Sequence, residues 1–81
     1  MTPIKILAML DKHIKISYTA NLSVDSDTIL FRYTIGGTPY TMQFENISAI
    51  KTEQEAKFMI DVIKSNIQYH INELENKLQW H

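Results

Sequence analysis

The side chains that could take part in catalysis or metal binding are few and scattered along the chain. Its three histidines, His13, His70 and His81, are far apart in the sequence, and none has an acidic residue spaced to support it as a base. There is no cysteine, which excludes a disulfide framework and a thiolate zinc site. No serine lies in a nucleophile-elbow context. We therefore predict a protein that is not an enzyme and binds neither a metal nor a cofactor.

Two short motifs resemble ligand sites but are better explained as turns. Asp25 and Asp27 form a D-x-D pair, whereas a calcium loop needs more oxygen ligands and a bidentate glutamate at its end. Aspartates are common in turns because their side chains bond to nearby backbone groups. The only two glycines, Gly36 and Gly37, are adjacent, which indicates a tight hairpin turn rather than a phosphate-binding loop.

The composition and net charge exclude some classes of protein and make others less favoured. The 81 residues are 44% hydrophobic and 21% charged, with a net charge of −1, which is typical of one small globular domain, residues 1–81. No apolar run approaches the ~20 residues needed to cross a bilayer, and the start lacks the pattern of a signal peptide. We expect no membrane association and, without cysteine, a cytoplasmic location. The absence of a basic cluster makes nucleic acid an unfavoured partner.

The periodicity of apolar residues changes twice along the chain. Thr2 as N-cap and Pro3 at the first helical position predict a short N-terminal helix. From Ile14 to Leu22 apolar and polar residues alternate, as in a strand with one buried face. Two further alternating runs, Thr28–Ile35 and Thr38–Glu45, predict two more strands.

Turn lengths predict how these strands pair. A two-residue glycine turn places Tyr33 opposite Tyr40, and a four-residue loop between the first two strands places Tyr18 opposite Tyr33. Apart from Leu30, the apolar residues of all three strands then share one face. Pro39 falls where its missing N–H would point away from the second strand, as an outer edge strand allows. The strand order is therefore 1-2-3.

A capping box over Thr52–Glu55 begins a long helix that runs to about Gln79. Its apolar stripe consists of Ala56, Met59, Ile60, Ile63, Ile67, Ile71, Leu74 and Leu78. The helix would measure ~40 Å, whereas a strand of this length spans about 20–27 Å. Either it breaks between Asn66 and Asn72, or its C-terminal half packs on another chain.

The predicted fold class is α+β: a short N-terminal helix, a three-stranded antiparallel meander, and a long C-terminal helix packed on one sheet face. A second group of apolar residues lies off the main stripe of that helix. We expect the N-terminal helix to cover Phe58 and Val62, whereas Tyr69 and Trp80 lie too far along. The candidate interface with a protein partner or a second copy in a homodimer consists of Phe58, Val62, Tyr69, His70, Leu78 and Trp80.

The alternative function is that of a nucleic-acid-associated accessory protein using the open, polar sheet face. Its candidate contacts are Lys15 and Arg32, although that face offers no aromatic platform for stacking bases. The α-β-β-β-α order resembles the double-stranded-RNA-binding domain. In that family the last helix begins with a basic cluster, whereas here it begins at the acidic Thr52–Glu55 segment, which would repel phosphates.

Several short segments together resemble small proteins of phages that infect Gram-positive bacteria, in particular a type II-A anti-CRISPR layout. The segments are the leading helix, Tyr18-Thr19 with Leu22-Ser23, Asp25-Ser26, Ile29–Arg32, Gly37 with Tyr40, Glu45-Asn46, and Phe58 with Ile60. The resemblance implies a phage- or mobile-element-encoded inhibitor of a host defence protein that imitates nucleic-acid charge. Its acidic contacts would be Asp25, Asp27, Glu45, Glu53 and Glu55.

Overall fold

The computed structural model describes residues 1–79 and confirms the predicted α+β layout. The elements are α1 (Pro3–His13), β1 (Tyr18–Ser23), β2 (Thr28–Ile35), β3 (Thr38–Phe44), a 3-10 turn (Ile47–Ala49) and α2 (Glu53–Gln79). The three strands form one antiparallel sheet in the order β1-β2-β3. Both helices contribute to a single hydrophobic core with one face of that sheet.

Helix α1 begins and ends as its sequence predicts. The Thr2 hydroxyl accepts a hydrogen bond from the Lys5 N–H at 3.4 Å, and Pro3 occupies the first turn, where its missing N–H has no cost. Ile6 and Leu10 are fully buried, one turn apart on the same side. The helix closes with the Ile14 N–H donating to the Leu10 carbonyl at 2.8 Å.

The strand register is the one predicted from the turns. Tyr33 of β2 lies opposite Tyr18 on one side and Tyr40 on the other. Gly36 and Gly37 have φ of +58° and +84°, the left-handed values that a two-residue primed turn requires. Because this register repeats across both pairs, the apolar side chains of the three strands lie on one face, apart from Leu30, which lies on the open face between Asn21 and Gln43.

Strand β1 is shorter than predicted: it begins at Tyr18, not at Ile14. Ile14 is buried and Ile16 half-buried, so the alternation reports burial correctly. Residues 14–17 instead bridge the gap between the end of α1 and the sheet. In the extended register Ile16 would face Ile35, the last residue of β2 before its turn, so the partner strand ends there.

Helix α2 is continuous over 27 residues, so the first of the two alternatives, a break between Asn66 and Asn72, does not occur. The Glu55 N–H donates to the Thr52 hydroxyl at 3.2 Å, which completes the predicted N-terminal cap. The buried stripe consists of Ala56, Met59, Ile60, Ile63 and Ile67.

Coverage by the sheet ends near Leu74. A methyl group at Gly36 would lie 2.7 Å from the Leu74 Cδ2 atom, so Leu74 rests directly on the β2–β3 turn. One turn later Leu78 is 64% exposed. The sheet therefore supports α2 over about five of its turns, and the last turn extends beyond it.

Candidate protein-binding surface

One side of α2 carries exposed aromatic residues that the fold does not cover. Phe58 is 72% exposed and Tyr69 is 60% exposed, with the half-buried Val62 between them. These three residues, here called the aromatic flank, lie on the same side of the helix because they are spaced by four and seven residues. Phe58 and Tyr69 are about 16 Å apart along the helix axis at 1.5 Å per residue.

The aromatic flank lines a shallow, open depression of about 500 Å³. Its remaining lining residues are Asp61, Ser65 and Asn66. The two ends are thus large and apolar, whereas the middle is polar and carries one carboxylate. A large apolar end with a nearby polar group is the composition that protein contacts favour.

The expectation that α1 covers Phe58 and Val62 is wrong. The groove between the helices is lined by Met9, Lys12 and His13 of α1 and by Glu53, Gln54 and Lys57 of α2. The physical reason is the short connection after α1. Only residues 14–17 link α1 to β1, and α1 packs against α2 on the side of Lys57, whereas the aromatic flank lies nearly opposite the buried stripe.

His70 joins α2 to β3 and positions the end of the aromatic flank. Its ring stacks on Tyr40 with the centroids 3.7 Å apart and 20° between the planes. Its Nδ1 lies 3.3 Å from the Glu73 Oε1 atom, without the alignment of a hydrogen bond. Tyr69 meets the edge of the same imidazole at 5.2 Å and 73°. The histidine is therefore packed within its own chain, where it supports Tyr69 from behind.

The charges around the aromatic flank are acidic. Glu55 and Glu73 fall on the same side of α2 by helical spacing, and Asp61 lines the depression itself. Lys57 and Lys64 lie on the opposite side, where each lines a groove facing α1 or the segment that follows it. Lys77 follows Glu73 by one turn on the same side. The surface thus combines two aromatic ends with a polar middle and mostly acidic neighbours.

One other predicted interface residue, Leu78, does not belong to this surface. Leu78 lies about 160° around the helix from Val62, because sixteen residues at 100° each bring it back to the side of the buried stripe. It is exposed only because the sheet has ended. Trp80 lies outside the described residues.

The five acidic residues suggested by the resemblance have different roles. The Asp27 carboxylate accepts hydrogen bonds from the Ser48 N–H at 2.9 Å and the Ser48 hydroxyl at 2.6 Å, which ties the β1–β2 turn to the segment before α2. Glu55 accepts from the Lys51 N–H at 3.3 Å within the helix cap. Asp25, Glu45 and Glu53 are exposed. Two of the five carboxylates therefore serve the fold.

On the open sheet face, Arg32 is flanked in register by Thr19 and Thr41 on the neighbouring strands. The three line a shallow depression of about 370 Å³. Lys15 lines a different groove, between the end of α1 and α2, together with Lys64. The structure therefore does not bring Lys15 and Arg32 into one basic patch.

Burial raises the pKa of two tyrosines on the inner sheet face. For Tyr33 the loss of hydration dominates, followed by its proximity to Tyr40. For Tyr18 burial also dominates, and the Asp11 carboxylate adds to it, with the Tyr18 hydroxyl 3.5 Å from Asp11 Oδ1. These shifts reflect the packing of the core.

Within residues 1–79, no three His, Asp or Glu side chains gather closely enough to hold a metal ion. Over the same residues no helix combines the length and the apolar character that crossing a membrane requires. Comparison with known proteins gives no match among family models, curated proteins or solved structures.

Sequence reasoning missed two features of this surface. Asp61 and Ser65 line the depression, and their spacing from Phe58, Val62 and Tyr69 could have placed them there. Tyr40, which holds His70, gives no such signal. Its contact joins residues thirty positions apart on a strand and a helix, and the angle between those elements decides it.

Proposed function

We propose that this chain is a small non-enzymatic protein-binding module whose contact surface is the aromatic flank of α2. The exposure of Phe58 and Tyr69 carries the proposal. Burying a side chain of this size contributes about 1.5–3 kcal/mol, and aromatic anchors are enriched among residues that dominate binding. Tyr69 is already held against His70, so a partner would lose little free energy in ordering it.

The rim charges indicate what kind of partner fits. On the side of α2 that carries Phe58 and Tyr69, the nearest charges are Glu55, Asp61 and Glu73, with Lys77 one turn beyond Glu73. A protein with an apolar pocket or ridge bordered by lysine and arginine would match both the shape and the sign of this surface. Such a partner is a different protein, because a second copy would offer the same acidic rim.

A module of this kind acts by occupying its partner's surface. We propose that this chain is an inhibitor encoded by a phage or mobile element, and that it binds a host defence protein. The support is the sequence resemblance together with a surface suited to binding and acidic at its rim. The proposal requires no chemistry from this chain.

Site-specific photo-crosslinking tests the contact surface and captures the partner in the same experiment. A photoreactive phenylalanine analogue is placed at position 58 or 69, in the cells that naturally carry the gene. Matched controls carry it at the exposed positions 41, on the open sheet face, and 64, on the opposite side of α2. We expect one protein other than this chain to be crosslinked from positions 58 and 69, and from neither control.

Several outcomes would overturn the proposal. Equal crosslinking from position 41 would mean that the sheet face is the contact surface. Crosslinking only to a second copy would mean that the aromatic flank serves self-association. Crosslinking to nucleic acid from position 41 would favour the alternative function, in which the sheet face around Arg32 contacts nucleic acid. The absence of any crosslink from positions 58 and 69 would mean that the aromatic flank is not a contact surface.

A further inference from the structure

We propose that the outer edge of β1 pairs with β1 of a second copy of this chain. The two strands would run antiparallel about a two-fold axis at Ala20, joining two three-stranded sheets into one of six strands. This inference is independent of the proposed function, since it uses a different part of the surface.

The direction of each backbone group follows from the glycine turn. A two-residue primed turn is closed by a hydrogen-bonded pair, here Ile35 with Thr38. Hydrogen-bonded pairs then alternate along an antiparallel ladder, so the odd-numbered residues of β2 bond to β3 and its even-numbered residues bond to β1. Pro39 is consistent with this pattern, because it faces Thr34 in a pair that needs no N–H.

The same alternation leaves half of the β1 backbone directed outward. Thr19 and Asn21 pair with Arg32 and Leu30 of β2 through their backbone groups. Tyr18, Ala20 and Leu22 therefore direct their N–H and C=O groups away from the sheet. Within residues 1–79 these groups make no backbone hydrogen bond to any loop or helix.

The two edges of the sheet differ in how they are protected. The β3 edge carries Pro39, which removes an outward donor and discourages pairing with another strand. The β1 edge, Tyr18–Ser23, contains no proline, glycine or charged residue. An edge without such features is a template for a further strand.

One antiparallel register satisfies all the outward groups of β1. With Ala20 opposite Ala20 of the second copy, Tyr18 lies opposite Leu22 and every outward residue meets another outward residue. The apolar residues of both copies then share the helix-covered face. Thr19 meets Asn21 on the open face, so no charge is buried and the pairing is self-complementary, as a two-fold interface requires.

The residues beyond the strand ends support the same antiparallel pairing. Val24 follows β1 directly and is 82% exposed in the single chain, so it would lie near the segment of the second copy that contains Ile16. Lys15, in the segment before β1, would lie near Asp25 of the second copy, in the turn after β1, and both are exposed and of opposite charge. Symmetry repeats both contacts.

A single cysteine tests both the pairing and its register, because the chain has no cysteine of its own. In the proposed dimer only residue 20 faces itself, at the ~5.5 Å Cα separation of a hydrogen-bonded pair, which a disulfide can bridge. We expect Ala20→Cys to form disulfide-linked dimers under mild oxidation. Leu22→Cys and Thr41→Cys are matched controls and should remain largely unlinked.

Sedimentation of charge variants provides a second test that does not disturb the sheet. Lys15→Asp and Asp25→Lys should each weaken the dimer about two- to tenfold, and the double variant should restore it, since exposed ion pairs contribute modestly. A wild-type chain that stays monomeric at high micromolar concentration would overturn the proposal. So would equal crosslinking of Ala20→Cys and Leu22→Cys, or a double variant no tighter than the single ones.

Discussion

The two sides of α2 both carry large apolar or aromatic side chains, but these side chains have opposite environments. On the inner side Ile60 and Ile63 are buried by the sheet and α1. On the aromatic flank Phe58 and Tyr69 are mostly in water. Helical spacing separates the two sets of residues, but it does not show whether another element covers the second set. The difference teaches that a sheet of three short strands can cover only one side of a helix of this length.

The largest expected effect is on stability, and it separates the two sides directly. Ile63→Ala should lower the free energy of unfolding by about 3–4 kcal/mol, because it leaves a cavity in a fully buried site. Phe58→Ala removes a larger side chain from an exposed site and should change it by less than about 0.5 kcal/mol. Urea denaturation followed by circular dichroism measures both. A comparable loss in Phe58→Ala would show that the aromatic flank is part of the core.

A smaller effect locates the end of the sheet's coverage of α2. Gly36→Ala should destabilise the protein by about 1–2 kcal/mol, because φ is +58° and the new methyl group would meet Leu74. Gly37→Ala is the matched control, with φ of +84° but no atom within 4 Å of the added carbon. The excess loss at Gly36, read from the same denaturation curves, measures the Leu74 contact. Equal losses would mean that backbone strain alone is at work.

The smallest effect appears only in alkaline solution and contrasts a buried tyrosine with an exposed one. The pKa of Tyr33 is raised above 10.0 in the folded chain, so the folded state holds its proton more tightly than the unfolded state. Its contribution to stability is complete below pH 10 and is lost as the pH rises through the folded pKa. Tyr33→Phe should therefore flatten the fall in stability above pH 10.

Tyr69→Phe is the matched control for this experiment, since it removes an exposed hydroxyl group from the aromatic flank. Thermal melts between pH 8 and 11 would provide the measurement. If Tyr69→Phe flattened the alkaline fall as much as Tyr33→Phe did, the assignment of the effect to burial in the core would be wrong.

Local sequence signals predicted the fold well where one turn or cap decided the outcome. Thr2 with Pro3 predicted the start of α1, and the two glycines predicted the pairing of Tyr33 with Tyr40. The start of β1 was predicted four residues too early. Alternation reports which side of an extended segment is buried, but it does not show where the partner strand ends.

The candidate site was only partly predictable, for a related reason. Helical spacing predicted that Phe58 and Tyr69 lie off the main stripe, and the structure leaves both exposed. Spacing along one helix does not show which side a second helix will occupy. The placement of α1 depends on the short connection at residues 14–17, which brings it to the Lys57 side.

The sequence by itself determined the order of the elements, the register of the sheet and the buried stripe of α2. These depend on interactions between residues near in sequence or joined by a tight turn. Tertiary structure alone decided that α2 continues beyond the end of the sheet that it packs on, that His70 stacks on Tyr40, and that the aromatic flank stays exposed. Those outcomes depend on how the helices and strands are placed relative to one another. That placement is decided by the packing of the complete set of elements.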